Sequence, residues 1–278
     1  MPEMPEVEIL ARHLRPLLRG KTVRSVSVRR ERATRPTRPR KFENALRGAK
    51  FKKLSRRGKY LLFQFQTKGS AKTLTVLGHL GMSGRMFLAL KKEKLPSHAA
   101  VVFDLGDRNF IYEDWRYFGR MTLDLSPVDK LGPEPADVSP ETFADSLKKS
   151  RQSIKVKLLD QELIAGVGNI YASEALFRAR ISPKLPANRL APAQSKKLLH
   201  AIRDVLNDAV KFGSTVPLKT MSGKSDALFY FSGDGEGFYE KRLRVYDREG
   251  KPCLNCGTKI QRITQAARST YFCPRCQR

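Results

Sequence analysis

A chain of 278 residues with 40% hydrophobic content can bury a substantial core, and its length fits two modest domains better than one large one. Its 54 Lys and Arg against 27 Asp and Glu leave a formal charge of +27 and a pI near 10.3, which excludes an evenly mixed surface and points to a polyanionic partner. No apolar run reaches about 18 residues and the start lacks a charged-then-apolar leader pattern. Nucleic acid is therefore the better partner, no membrane association is expected, and the chain is placed in the cytoplasm.

The chain opens Met1-Pro2-Glu3-Met4-Pro5-Glu6. Removal of Met1 would make Pro2 an N-terminal secondary amine, a nucleophile able to form an iminium with an aldehyde carbon. The same residues also suit an ordinary helix start, with Pro5 in the first turn and Glu3 and Glu6 complementing the dipole. Val7, Leu10, Leu14 and Leu17 recur at helical spacing and predict an amphipathic helix over 5–18, frayed or bent near its end by Pro16. Alternation at Val23, Val26 and Val28 then predicts a strand. Between Arg15 and Lys59 stand 18 Lys or Arg and only two acids, Glu31 and Glu43, a pattern suited to phosphates.

Strand-like patterns follow at 51–65, 74–90, 99–105, 109–112 and 120–125, punctuated by glycines, which predicts an antiparallel sandwich or barrel. Residues 126–140 hold Pro127, Pro133, Pro135 and Pro140 and are read as the linker region. Helical patterns then occupy 141–149, 154–163, 170–179 and 192–211, a Gly-rich stretch fills 213–237, and short strands at 243–246, 259–263 and 270–272 surround the cysteines.

Two constellations carry chemistry. Cys253, Cys256, Cys273 and Cys276 form C-x2-C-x16-C-x2-C, two thiolate pairs able to converge on one tetrahedral zinc, and a closed four-cysteine site is structural rather than catalytic. Thiols so arranged also suit a reducing compartment. Ala165-Gly166-Val167-Gly168-Asn169-Ile170 lies between helical patterns, and its glycines predict a tight turn that leaves the N–H groups of the next helix free to grip an anion, which makes it a phosphate-binding helix–turn–helix element.

Taken together, Met1-Pro2-Glu3-Met4-Pro5-Glu6-Val7-Glu8, Arg57-Gly58-Lys59-Tyr60, His79-Leu80-Gly81-Met82-Ser83-Gly84, Leu159-Asp160-Gln161, Gly166-Val167-Gly168-Asn169-Ile170-Tyr171 and the cysteine tail resemble the formamidopyrimidine-DNA glycosylase family over nearly the whole chain. The resemblance implies an α+β protein: an N-terminal antiparallel β-sandwich with flanking helices, then a C-terminal helical domain with a helix-two-turn-helix element and a zinc-bound β-hairpin. The expected division is 1–130 for the catalytic sandwich, 131–140 for the linker, 141–242 for the helical DNA-binding domain and 243–278 for the zinc hairpin.

The implied activity is base-excision repair of damaged double-stranded DNA by a monomer. An oxidised or ring-opened purine is excised through a Pro2 Schiff base, and the strand is cut by β,δ-elimination. Glu3 would be the acid that helps open the sugar and later shuttles protons, Glu6 would orient the amine, and Lys59 would hold a phosphate beside the lesion. Met82, Arg116 and Phe118 would fill the gap left by the flipped nucleotide, with Arg116 facing the orphaned base of the opposite strand. His79, Asn169 and Arg268 match phosphate contacts, and Lys155 matches a helix lysine near the DNA.

Several positions depart from the family pattern. Gly213-Ser214-Thr215 is followed by Val216-Pro217-Leu218-Lys219-Thr220 and a longer insertion to Gly237, which leaves the lesion preference open. Met4 stands where leucine is usual, Trp115 where proline is common, and Asp247 and Ala267 where glycine is common. An endonuclease VIII-like preference for oxidised pyrimidines, or a non-catalytic binder of damaged DNA, are the alternatives.

Overall fold

In the computed structural model, which describes residues 2–69, 72–213 and 239–278, the chain divides into two units. Pro2 and Glu6–Asp129 belong to the first. Glu3–Pro5 belong to the second, with the described residues from 130 onward. Met1 and the insertion beyond Gly213 as far as Gly237 lie outside the described residues.

The first unit is a sandwich of two antiparallel sheets. One contains β2 (Lys50–Arg57), β3 (Tyr60–Gln66), β4 (Thr73–His79) and β8 (Arg120–Thr122) in the order β2-β3-β4-β8. In the other, β1 (Ser25–Val28), β5 (Arg85–Leu90), β6 (Ala99–Asp104) and β7 (Arg108–Glu113) run in the order β1-β6-β7-β5. Period-two alternation in β3 turns Leu61, Phe63 and Phe65 inward. Phe63 meets Phe110 of β7 at 5.6 Å and Phe65 stacks on Phe103 of β6 at 6.4 Å, so aromatic side chains join the two sheets.

Helix α1 (Met4–Leu18) adds Val7, Leu10, Leu14 and Leu18 to this core and ends two residues beyond Pro16. A second helix, α2 (Pro39–Leu46), lies in the basic stretch, where the density of charge hides it from the sequence pattern. It has only two buried side chains, Phe42 and Leu46, spaced one turn apart.

In the second unit, α4 (Pro140–Lys148) is capped by Ser139, whose hydroxyl accepts from the Thr142 N–H at 3.1 Å. A four-residue helix, α3 (Ser126–Asp129), ends the first unit within the stretch read as linker. The core gathers Phe143, Leu147, Ile154, Leu158, Tyr171, Leu176, Leu198 and Ile202 from α4, α5 (Ile154–Lys157), α6 (Asn169–Ala179) and α7 (Pro192–Phe212), together with the turn after α5.

Two sequence expectations fail here. The helix expected over 154–163 stops at Lys157, because Asp160 competes for the backbone: its carboxylate accepts from Glu162 N–H at 2.9 Å and Lys157 Nζ at 2.7 Å, closing a turn. The strand expected at 243–246 does not form either. Its amides at Arg244, Val245 and Tyr246 instead donate to the buried Glu174 carboxylate at 2.8–2.9 Å. β9 (Gln261–Gln265) and β10 (Arg268–Phe272) complete a hairpin closed by Ala266-Ala267.

Candidate active site and nucleic-acid interface

Glu3 lies at the N-terminus of α6. Its carboxylate is buried and accepts from Ile170 N–H at 2.9 Å and Tyr171 N–H at 3.4 Å, while Met4 N–H donates to Gly166 O at 3.1 Å. Sequence reasoning expected those helix amides to face a phosphate. They hold a carboxylate of the same chain instead, because Glu3 supplies the anion that the unpaired donors favour. Gly168 makes this possible: a Cβ there would overlap the Glu3 carboxyl group. Gln161 shapes the same turn, its amide nitrogen donating to Leu159 O and Val167 O and its amide oxygen accepting from Gly166 N–H.

Lys155, Asn169 and Arg268 gather beside this turn. Lys155 is fully buried and donates to Asn169 Oδ1 at 2.6 Å, and Asn169 Nδ2 donates to Ser269 O at 2.9 Å, next to the exposed Arg268. Burial lowers the Lys155 ammonium to about 8; the Glu3 carboxylate opposes that shift and Arg268 adds to it. The second unit thus joins a carboxylate held by amides to a cationic group whose proton is weakly held.

The first unit carries the other expected residues. Pro2 is half-buried ahead of α1, and Glu6 is buried in the first turn of that helix. Lys59 is buried in the two-residue turn joining β2 to β3. His79 ends β4, lies 4.8 Å from the Tyr60 ring, and accepts from Gly81 N–H at Nδ1 (3.2 Å), which leaves Nε2 as the protonated donor. Burial, then the charges of Lys59 and Arg120, lower its pKa to about 4 against the opposing pull of Asp114. His79 is therefore a neutral donor at neutral pH.

Met82 stands on the turn after β4, and Arg116 and Phe118 stand on the loop after β7. All three are exposed, yet their loops are held together from beneath. Gly81 has a φ of +59°, and a side chain there would strike the backbone of Phe118 and Gly119. Buried Asp114 accepts from Ser83 Oγ, from Arg116 N–H at 3.2 Å and from Gly119 N–H at 2.7 Å. The sequence reading missed Asp114. Its one signal was an acidic pair, Glu113-Asp114, ahead of Arg116 in a strongly basic chain.

On either side of the hairpin in sequence, the four cysteine sulfurs lie within 4.8 Å of one another, with Cys253 and Cys276 at 3.9 Å and Cys256 and Cys273 at 3.5 Å. A tetrahedral zinc with bonds of about 2.3 Å needs sulfur separations of about 3.8 Å. The donor set fits one structural Zn2+ and leaves no position for a reacting water.

Three family models cover this chain: the formamidopyrimidine-DNA glycosylase N-terminal domain at residues 1–121, the formamidopyrimidine-DNA glycosylase H2TH domain at 131–220, and the zinc finger found in FPG and IleRS at 250–278. The formamidopyrimidine-DNA glycosylase of Chloroflexus aurantiacus is 39% identical over 285 residues, covering 100% of this chain and 98% of its own. That of Ligilactobacillus salivarius is 38% identical, covering 100% and 99%. Among solved structures, a mutant Lactococcus lactis FPG in complex with a Fapy-dG containing DNA matches with a TM-score of 0.87 at 32% identity, each chain covered in full. The Lactococcus lactis enzyme non-covalently bound to an AP site containing DNA matches at 0.85, also at 32% identity and with full coverage of both chains. The chain therefore belongs to the formamidopyrimidine-DNA glycosylase family, whose members are bifunctional DNA glycosylases and AP lyases.

Proposed function

We propose that this chain repairs damaged double-stranded DNA by excising oxidised or ring-opened purines with Pro2 as nucleophile. The observation that carries the reading is Glu3, the residue following Pro2, clamped by two amides at the start of α6. In a family of glycosylase/lyases, a carboxyl group so fixed beside the N-terminal amine has a defined task.

With Met1 removed, the Pro2 nitrogen attacks C1′ of the damaged nucleotide, and the bond from C1′ to the base breaks as the base departs with a proton. The proton that Pro2 sheds on bonding to C1′ passes to the Glu3 carboxylate, which delivers it to the ring oxygen as the sugar opens, leaving an iminium between Pro2 and C1′. Loss of a C2′ proton expels the 3′ phosphate, and a second elimination expels the 5′ phosphate. Glu6, in the first turn of α1, orients the amine. Lys59 and Arg268 hold phosphates as cations, His79 and Asn169 contribute neutral donors, and the buried Lys155 fixes the Asn169 amide from beneath. Met82, Arg116 and Phe118 occupy the space vacated in the stack. Cys253, Cys256, Cys273 and Cys276 hold the zinc that fixes the hairpin, and no proton or bond of the reaction passes through it.

Every group named comes from one chain, which supports a monomer as the acting species. Among the described residues no helix is long and apolar enough to cross a membrane, and four cysteines clustered for a metal rather than paired in disulfides suit a cytoplasmic, DNA-associated enzyme. Borohydride should trap Met1-free protein covalently on damaged duplex, and failure to trap it on any lesion would overturn the reading. A panel of formamidopyrimidine, 8-oxoguanine, hydantoin and thymine glycol substrates should favour the ring-opened and oxidised purines. Preference for thymine glycol would assign the endonuclease VIII-like specificity instead.

A further inference from the structure

Trp115 is 60% exposed, more than Phe118 at 49% or Met82 at 45%. An indole so open to water has no packing reason to stand there, and the chain contains no other tryptophan. Its neighbour explains it. The Arg116 guanidinium carbon lies 5.7 Å from the Trp115 ring centroid and 5.0 Å from that of Phe118, so the cation rests between two exposed aromatic rings. Both distances fall within the range of cation–π attraction.

The clamp stands on a fixed base. The Arg116 amide is bonded both to Asp114 and to Ser83 Oγ at 3.2 Å, which ties the tryptophan loop to the Met82 loop. Arg116 can only donate, through five N–H groups in a planar fork. A fork held on one bearing rewards a base whose edge presents paired acceptors and penalises one that presents a donor at the same place. A freely rotating fork adapts to either.

We propose that Trp115 is a fourth member of the DNA-inserting loops. On this proposal it stacks against nucleic acid, and by holding the Arg116 guanidinium it sharpens discrimination of the base opposite the lesion. The proposal rests on the reading that Arg116 faces that base. Trp115 acts on the base through Arg116 and is in that respect a positioning residue.

The single tryptophan permits a direct test on the unmodified chain. Wild-type protein is titrated with duplex containing a tetrahydrofuran abasic analogue, with binding followed by anisotropy of a labelled strand and Trp115 followed by its emission. Quenching that saturates with binding, and is weaker on undamaged duplex of equal length at saturation, is the expected result. Complete binding with unchanged emission would overturn the proposal. In single-turnover excision, Trp115→Ala should reduce the ratio of rates opposite cytosine and opposite adenine by about two- to fivefold, the loss of an exposed to partly desolvated cation–π contact, while Trp115→Phe retains it. An unchanged ratio in Trp115→Ala would also overturn the proposal. If borohydride traps no adduct opposite any base, the glycosylase reading itself fails. Trapping that proceeds normally while emission and ratio stay unmoved sinks only the role of Trp115.

Discussion

Gly168 gives up a side chain so that Glu3 can occupy the start of α6, and the two residues are 165 positions apart in sequence. Gly168→Ala should therefore act as a catalytic lesion without being a folding one. Displacing the carboxyl group by the width of a methyl should slow borohydride trapping by about a hundredfold, with the thermal midpoint little changed. An unaltered trapping rate would show that the position of Glu3 is not what sets the chemistry.

Lys155 makes a prediction about pH. Its folded pKa, about 8, lies below the ordinary 10.5, so between those values the unfolded chain binds more protons and stability rises with pH. Below pH 8 the buried ammonium imposes its full cost, roughly 3 kcal/mol at 1.36 kcal/mol per unit. Lys155→Met should be more stable than wild type at pH 7, and its advantage should shrink as pH climbs from 8 to 10.5. Urea denaturation of both proteins across that range measures the difference. His79 and Lys59 separate by charge: Lys59→Ala should reduce the slope of log affinity against log salt by about one, whereas His79→Ala should weaken binding with the slope unchanged, since the imidazole is neutral at pH 7.

The C-terminal hairpin shows how an element limits its own residues. Gln265 pairs with Arg268, so Ala266 and Ala267 form a two-residue turn, and their φ values of +47° and +58° lie in the left-handed region. Such turns favour Asn-Gly, and an alanine there carries a penalty of about 1 kcal/mol. Ala267→Gly should stabilise the hairpin by about that amount, read as a higher denaturation midpoint of the zinc-loaded protein. Arg268 begins the return strand, so the turn also fixes where that cation stands. The metal holds the other end: chelation should abolish tight binding to damaged duplex and readdition of zinc should restore it, with one zinc per chain by elemental analysis. Retention of full affinity after complete chelation would mean that the hairpin does not carry the DNA contact.

For the molecule as a whole, a charge of +27 makes affinity a function of salt before any lesion is recognised. If six or more phosphates are neutralised, binding to duplex should fall by about a thousandfold between 50 and 200 mM salt. The excess of cations also explains why α2 escaped the sequence reading: Phe42 and Leu46 are its only buried side chains and are outnumbered by charge. Where apolar period and charge were not in conflict, α1, the sandwich strands, α6 and α7 were legible within a few residues.

The sequence by itself determined the parts whose chemistry is local: the four thiolates at metal-ligand spacing, the amine that Met1 removal would expose, the alternating strands and the basic surface. Tertiary structure alone decided the rest. It closed the α6 amides with Glu3 rather than a phosphate, tied the Met82 and Arg116 loops together through Asp114, turned the strand expected at 243–246 into a segment bound to Glu174, and set Arg116 between Trp115 and Phe118. The reason is common to most of these. An unpaired amide or a buried carboxylate takes whichever partner the fold brings within 3 Å, and nothing in residue spacing says which of the distant groups that will be.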